Sequence, residues 1–142
     1  MKFAFTDEQQ MLRDTSQAFL ANKSTSVAVR QACSSPERHD TALWQSICEE
    51  MYWQGILIPE HVDGLGLGWV EMAIVLEAAG ERLLTSPLFA VAQSTAALVR
   101  CPASEMRDLL LSSMAAGKVM SLAMGNQSVG WDSVGVTANE TS

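Results

Sequence analysis

The feature that most limits how this chain can fold is a series of apolar stripes with helical spacing, separated by glycine and proline. Residues that recur every three or four positions share one face of an α-helix, and that face must be buried. Because each apolar face needs the face of a neighbour, the pattern indicates a helical bundle. The predicted helices run from Asp7 to Ala21, around Ser26 to Ala32, from Asp40 to Gly55, from Trp69 to Gly80, from Leu88 to Val99 and from Ser104 to Gly117.

Capping residues mark where several of these helices begin and end. Thr6 and Gln9 have the Thr-x-x-Gln spacing of a capping box, in which each side chain binds the backbone N–H of the other residue. Asp40 and Ser104 are also favourable N-cap residues, and Gly55 is expected to end the third helix. The residues expected to point inward from the first and last helices are Met11, Leu12, Thr15, Phe19 and Leu20, and Met106, Leu109, Leu110 and Met114.

Beyond Lys118 the apolar pattern changes from helical to β-like. Residues 119–124 and 134–138 are short β-prone runs separated by Gly, Asn, Gln and Ser. We predict a mainly α fold: an orthogonal or up-down bundle of about five to six helices over residues 1–118, followed by a short C-terminal β segment over residues 119–142 that begins a second domain. The chain stops soon after a predicted strand, and we expect a fragment because an unfinished sheet leaves an exposed edge.

Composition and charge argue against several kinds of partner. Sixteen acidic and nine basic residues give a formal net charge of -7, and no basic cluster is present that could bind a nucleic-acid backbone. The N-terminus has no apolar signal sequence, and no apolar run approaches the roughly 18 residues that span a bilayer, so a cytoplasmic protein without membrane contact is expected. The three cysteines and two histidines lack metal-ligand spacing, and no metal site is predicted.

The glycine-rich run Gly64-x-Gly66-x-Gly68 admits two interpretations. Glycines allow backbone N–H groups to approach a phosphate, but the dinucleotide fingerprint G-x-G-x-x-G must directly follow a full strand. The run is preceded only by a short apolar piece, Ile56–Pro59, which is expected to be extended. The spacing and the lack of a βαβ pattern favour a tight connecting loop over a nucleotide site.

Glu77 and Glu81 are the acidic pair whose spacing would suit acid–base chemistry. They lie one turn apart on the fourth predicted helix. Glutamates at positions i and i+4 on a helix edge are more often solvated, and we favour that interpretation.

Several segments repeat phrases that occur together in one known protein family. Residues 5–13, FTDEQQMLR, are similar to the F-T-x-E-Q-x-x-L-R phrase that commonly opens the first helix of acyl-CoA dehydrogenases. Leu43–Trp44 and residues 51–68 are similar to the L-W, G-L and P-E-x-x-G-G-x-G elements of the family, and residues 71–80 to its E and I-V-L-E-E-L-G helix. The resemblance extends over essentially the whole chain.

The resemblance implies an FAD enzyme of three domains, of which this chain holds the helical N-terminal domain and the start of the middle β-domain. In such enzymes FAD lies between the middle domain and a C-terminal four-helix bundle and crosses a subunit interface. A glutamate in the C-terminal half removes the α-proton of an acyl-CoA thioester, and the flavin accepts a hydride from the β-carbon to leave a 2,3-enoyl-CoA. No catalytic residue is therefore expected in this chain, which alone should be inactive.

The resemblance also implies a set of partners. They are the acyl-CoA substrate, an electron-transfer flavoprotein, and the remaining domains or partner subunits of a homo- or hetero-oligomer. Two alternatives stay open: a non-catalytic partner subunit of a heteromeric acyl-CoA dehydrogenase, and an unrelated helical interaction module.

The flavin-contact segment of the family, approximately A-x-T-E-P-x-A-G-S-D, aligns with residues 123–132, AMGNQSVGWD. By resemblance, the FAD contacts fall on Met124, Gly125, Asn126, Gly130 and Trp131. The family's threonine and serine positions hold Gly125 and Trp131, so the hydroxyl donors at these two positions are missing. That departure is the reason for the non-catalytic alternative.

The start of the fifth helix corresponds by position to the wall of the family's acyl pocket. The resemblance places Ser86, Phe89, Ala90 and Gln93 toward the bound fatty chain. Core packing is the equally weighted alternative for Phe89 and Ala90, because apolar residues on a helix are usually buried. These residues do not choose among straight-chain, branched, aromatic and steroid-side-chain thioesters.

Overall fold

The computed structural model describes residues 4–123, and these residues form six α-helices and no β-strand. Every helix begins within one residue of its predicted start, and the predicted mainly α fold is confirmed. Of the predicted β segment, residues 119–123 are in neither helix nor strand, and the remainder lies outside the described residues. The helices are α1 (Asp7–Lys23), α2 (Ser26–Ser34), α3 (Thr41–Ser46), α4 (Trp69–Glu81), α5 (Leu88–Arg100) and α6 (Glu105–Ala115).

The predicted caps form as expected. In the α1 capping box, Gln9 N donates to Thr6 Oγ1 at 3.2 Å and Thr6 N donates to Gln9 Oε1 at 3.1 Å. The Asp40 carboxylate accepts from Leu43 N at 2.9 Å at the start of α3. Such caps supply partners for helix-end N–H groups that have none within the helix, which is why they mark helix starts in a sequence.

The core lies where α1, α4, α5 and α6 meet around the irregular segment between α3 and α4. α1 packs along α4, while α5 packs against α6 and against the turn Trp53–Gly55. The ring of Phe19 meets the buried ring of Trp53 edge to face, with centroids 5.6 Å apart. The most fully enclosed residues of this core include Leu20, Ile47, Trp53, Ile58, Met72, Val75, Val91, Leu111 and Met114.

The predicted end of the third helix at Gly55 is wrong. Helix α3 continues as a π-helical turn over Ile47–Met51 and ends at Tyr52, which takes the left-handed conformation with φ 54°. The Tyr52 hydroxyl donates to the Asp63 carbonyl at 2.6 Å, a contact that holds this unfavourable backbone in place. Gly55 is still required, because a Cβ there would lie 2.5 Å from the Tyr52 ring.

The expected extended conformation of Ile56–Pro59 is also wrong. The chain turns tightly here, between the 3-10 turns Trp53–Gly55 and Glu60–Val62. Ile56 and Ile58 are both buried, and their backbone groups bond to the turn before the segment and to the glycine-rich loop after it. No described strand is available to pair with the segment, so its hydrogen bonds are made locally.

The inward faces of α1 and α6 are partly different from those predicted. On α1, Met11 and Thr15 are exposed, and Ser16 and Leu20 are the fully buried residues. On α6, Leu111, Met114 and Ala115 are buried, whereas Met106 and Leu109 are exposed. Both helices have apolar residues on more than one face, so the helix that packs against them decides which face is covered.

Candidate functional site

The candidate acyl-facing residues lie at the start of α5. Phe89 and Gln93 are four residues apart, share one face of the helix and are both exposed. Ala90 is half-buried, and Val91 on the opposite side is fully enclosed in the core. With 59% of its surface exposed, Phe89 is not part of the core that the described residues form.

Ser86 has a structural partner at the start of the same helix. Its hydroxyl accepts from the Leu88 backbone N–H at 3.4 Å, and Pro87 follows in the cap position. Ser86 therefore helps to begin α5 and is half-buried beside the Phe89 face.

Three side chains bind carbonyls in the segment where the chain leaves α6. Gln54 Nε2 donates to the Ala115 carbonyl at 3.0 Å, and Trp44 Nε1 donates to the Gly117 carbonyl at 3.1 Å. Ser94 Oγ lies 3.2 Å from the Met120 carbonyl. We call residues 115–120 the exit segment, because they lead from the helical domain to the sequence that resembles a flavin-contact motif.

The exit segment passes directly beside the candidate acyl-facing part of α5. Ser94 Oγ is also 2.9 Å from the carbonyl of Ala90, so one hydroxyl contacts both α5 and the exit segment. Sequence reasoning did not identify the contacts of Trp44, Gln54 and Ser94 with these carbonyls. The available signal was a polar group within an apolar helical stripe, which requires a buried partner.

The glycine-rich run is a connecting loop with no backbone N–H left for a phosphate. The N–H groups of residues 64–68 all donate within the chain, over distances of 2.8 to 3.1 Å. The acceptors are the carbonyls of Pro59, Gly55, Ile58 and Ile56 and the carboxylate of Glu71. The interpretation as a connecting loop is confirmed.

Glu71 joins the first turns of α1 and α4. It accepts from Gln9 Nε2 at 2.8 Å and from Gly68 N at 3.0 Å. The hydrogen bond from Gln9, followed by bonds from backbone N–H groups, holds the pKa of this carboxyl below its usual value. Two helix caps are thereby linked through one carboxylate.

Glu77 and Glu81 face polar groups of α1. Glu77 lies 3.6 Å from the Arg13 guanidinium, and Glu81 accepts from Gln17 Nε2 at 3.3 Å. Both contacts are at the solvent-exposed edge between α1 and α4. This placement agrees with a solvated helix face and offers no enclosed site for acid–base chemistry.

Within residues 4–123, no cluster of His, Cys, Asp and Glu has the arrangement needed for a metal ion. None of the helices in that range combines the length and apolar character needed to cross a bilayer.

Burial, with a smaller effect of Glu49, raises the pKa of the Cys48 thiol to about 11. The residues assigned to FAD, Met124, Gly125, Asn126, Gly130 and Trp131, lie outside the described residues.

Comparison with known proteins gives consistent matches. The family model described as "Acyl-CoA dehydrogenase, N-terminal domain" matches residues 6–118. The acyl-CoA dehydrogenase IpdE2 of Mycobacterium tuberculosis is 34% identical over 93 residues, which are 66% of this chain and 29% of the relative. IpdE2 of Mycolicibacterium smegmatis is 30% identical over 115 residues, which are 81% of this chain and 37% of the relative.

Two solved structures share the fold. The ChsE4–ChsE5 complex from Mycobacterium tuberculosis has a chain that matches with a TM-score of 0.79 and 25% identity, over 92% of this chain and 36% of that one. A variant of the steroid ACAD Tcur3481–Tcur3483 matches with a TM-score of 0.74 and 22% identity, over 87% and 34% of the two chains. The chain thus spans roughly a third of the length of the relatives it matches. From the family match and the shared fold, this chain belongs to the acyl-CoA dehydrogenase family and carries its N-terminal helical domain.

Proposed function

We propose that this chain is the N-terminal part of an FAD-dependent acyl-CoA dehydrogenase, in which the exposed face of α5 forms one wall of the acyl site. The observation that carries the proposal is the placement of the exit segment against α5. Ser94 contacts the carbonyls of Ala90 and Met120, so the sequence that resembles a flavin-contact motif begins within a few residues of the candidate acyl wall.

The residues of α5 would contribute binding and water exclusion. The Phe89 ring offers apolar surface to an acyl chain, and the Gln93 amide on the same face can donate or accept a hydrogen bond at its edge. Burial of an apolar chain against such a wall supplies about 25 cal/mol per Å² of area removed from water.

FAD would supply the acceptor for the hydride equivalent that leaves the substrate. The proposed contacts of this chain with it are Met124, Gly125, Asn126, Gly130 and Trp131. Backbone N–H groups at the two glycines are suited to approach a phosphate or a ring edge, since no side chain obstructs them. The glutamate that removes the α-proton would come from the C-terminal half of the protein.

Exposed apolar side chains support packing against further domains or a partner subunit. Leu67, Trp69 and Val70 are at least two-fifths exposed at the start of α4. A groove of about 450 Å³ lies beside them, lined by Phe5, Trp69, Val70, Ala73, Ile74 and Glu77. An apolar surface of this kind is typical of a region that is covered in the assembled protein.

A second candidate function is a non-catalytic subunit of a heteromeric acyl-CoA dehydrogenase. The observation that favours it is the replacement of the family's threonine and serine by Gly125 and Trp131, which removes two hydroxyl donors to the flavin. One solved relative of the same fold is itself described as a complex of two different chains, ChsE4 and ChsE5. In this case the partner subunit would hold FAD and react with the electron-transfer flavoprotein.

An absorbance experiment separates the candidates. The full-length protein is purified alone and after co-expression with an acyl-CoA dehydrogenase subunit of the same organism, and acyl-CoA thioesters with straight, branched and steroid-derived acyl groups are added. Flavin bands that bleach in the protein alone support the first function. Bands that require the second subunit support the second function, and no flavin in either preparation contradicts both.

Variants of α5 test the acyl wall directly. Phe89→Ala should raise the KM for long acyl-CoA thioesters about tenfold, because truncation of a large apolar contact costs roughly 1 to 3 kcal/mol of binding. Met106→Ala on α6 is the matched control, since Met106 is also an exposed apolar residue of a helix. Equal KM values for the two variants would contradict the assignment of Phe89 to the wall.

A further inference from the structure

The exit segment is held by buried side chains from three different parts of the fold. Trp44 comes from α3, Gln54 from the turn after it and Ser94 from α5, and their exposed fractions are 7%, 2% and 6%. Each of them contacts one carbonyl of the exit segment, at residues 117, 115 and 120. The Ala115 carbonyl is at the C-terminal end of α6 and has no partner within the helix, so Gln54 satisfies a group that α6 leaves open, whereas the Gly117 and Met120 carbonyls follow the helix.

The geometry of the exit segment leaves the chain little freedom at its turn. Gly117 has a φ of 91°, and a Cβ at this position would lie 3.2 Å from Cys48 Sγ. The Lys118 N–H returns to the Ser113 carbonyl at 3.0 Å, and Gly117 N–H to the Met114 carbonyl at 2.9 Å. The backbone is therefore fixed at residue 117 before it reaches α5.

Ser94 makes a contact that its own helix does not require. A serine inside a helix commonly donates to the carbonyl four residues earlier, as Ser94 can to Ala90. The additional approach of Oγ to the Met120 carbonyl ties the last part of the exit segment to α5. A hydroxyl has a single proton, so the carbonyls of Ala90 and Met120, at 2.9 and 3.2 Å from Ser94 Oγ, share one donor.

We infer that Ser94 is a positioning residue, which together with Trp44 and Gln54 fixes the direction in which the chain leaves α6. The residues proposed to contact FAD follow the exit segment in the sequence. The consequence for FAD and acyl-CoA rests on the proposed function, whereas the anchoring itself concerns described residues only.

Hydrogen exchange of the full-length protein tests the anchoring. In Ser94→Ala, the amide of Lys118, the hydrogen-bonded amide nearest to Met120 among the described residues, should exchange up to about tenfold faster, the effect expected if the loss of one neutral hydrogen bond lets the end of the exit segment open. Ser113→Ala is the matched control, because Ser113 Oγ contacts only the carbonyl four residues earlier, at 2.8 Å. Equal exchange in the two variants would overturn the anchoring, whatever the protein's activity.

The flavin spectrum and steady-state kinetics of the holoenzyme test the positioning role. Ser94→Ala should raise the KM for acyl-CoA and change the shift of the flavin bands on thioester binding, and Ser94→Thr, which keeps a hydroxyl, should restore both. Faster exchange in Ser94→Ala with unchanged KM and spectrum would overturn the positioning role. A protein that binds neither FAD nor thioester contradicts the proposed function alone, since the exchange measurement still decides the anchoring.

Discussion

The same substitution, glycine to alanine, should have opposite effects at two positions of this fold. A Cβ at residue 64 would lie 1.9 Å from the Ile58 carbonyl oxygen and 2.3 Å from its carbon. That carbonyl accepts from Gly66 N at 2.8 Å, so it cannot retreat without breaking a bond that closes the loop. Gly80 lies within α4, and a Cβ there meets nothing within 4 Å.

The two magnitudes follow from these surroundings. For Gly64→Ala, overpacking costs about 1 to 3 kcal/mol and the loss of a loop hydrogen bond adds about 1 kcal/mol, which gives a destabilisation of about 3 kcal/mol. For Gly80→Ala, alanine is favoured over glycine in a helix by about 0.5 to 1 kcal/mol, and the contribution near a helix end lies at the low side of that range.

Urea unfolding monitored by far-UV circular dichroism measures both effects. With a slope of about 1.5 kcal/mol/M, Gly64→Ala should lower the midpoint by about 2 M and Gly80→Ala should raise it by about 0.3 M. The slope should stay constant, so that the midpoint reports stability. A Gly64→Ala midpoint equal to that of the parent would refute the close approach between residue 64 and Ile58.

Three further predictions concern single side chains. The folded-state pKa of Glu71 lies below 4.5, so its contribution to stability is present above that pH and is lost as the pH falls below it. In urea unfolding, the difference in stability between the parent and Glu71→Gln should therefore shrink between pH 7 and pH 3. Cys48, with a thiol pKa of about 11, should react with a maleimide at pH 8 at least about tenfold more slowly than the two exposed cysteines, and equal labelling by mass spectrometry would contradict its burial. Phe89→Ala should change the free energy of unfolding by under about 0.5 kcal/mol, whereas Val91→Ala should cost about 2 kcal/mol; similar losses for both would contradict the outward placement of Phe89.

Helix starts were predictable because they depend on residues close together in the chain. The Thr6–Gln9 capping box and the Asp40 cap each involve residues three positions apart, and both form as the sequence indicates. The connecting role of the Gly64–Gly68 run was predictable from its spacing, although which carbonyls accept its N–H groups was not.

Helix ends and buried faces were less predictable because they depend on distant neighbours. The third helix ends at Tyr52, ahead of Gly55, because the Tyr52 hydroxyl donates a hydrogen bond to the Asp63 carbonyl on the other side of a tight turn. On α6, Met106 and Leu109 fit an apolar stripe as well as Leu111 does, and only the packing of α5 and the nearby turns selects the face with Leu111.

The sequence by itself determined the helical class, the helix starts and, through resemblance, the family. Local hydrogen bonds and periodic burial decide the first two, and both are written in runs of a few residues. Only the tertiary structure decided that Trp44 and Gln54 bind carbonyls 73 and 61 residues away, and that Ser94 brings the exit segment to α5. Such contacts join residues that meet only after the helices pack. They could not be predicted, because no pattern along the chain specifies which buried donor reaches which carbonyl.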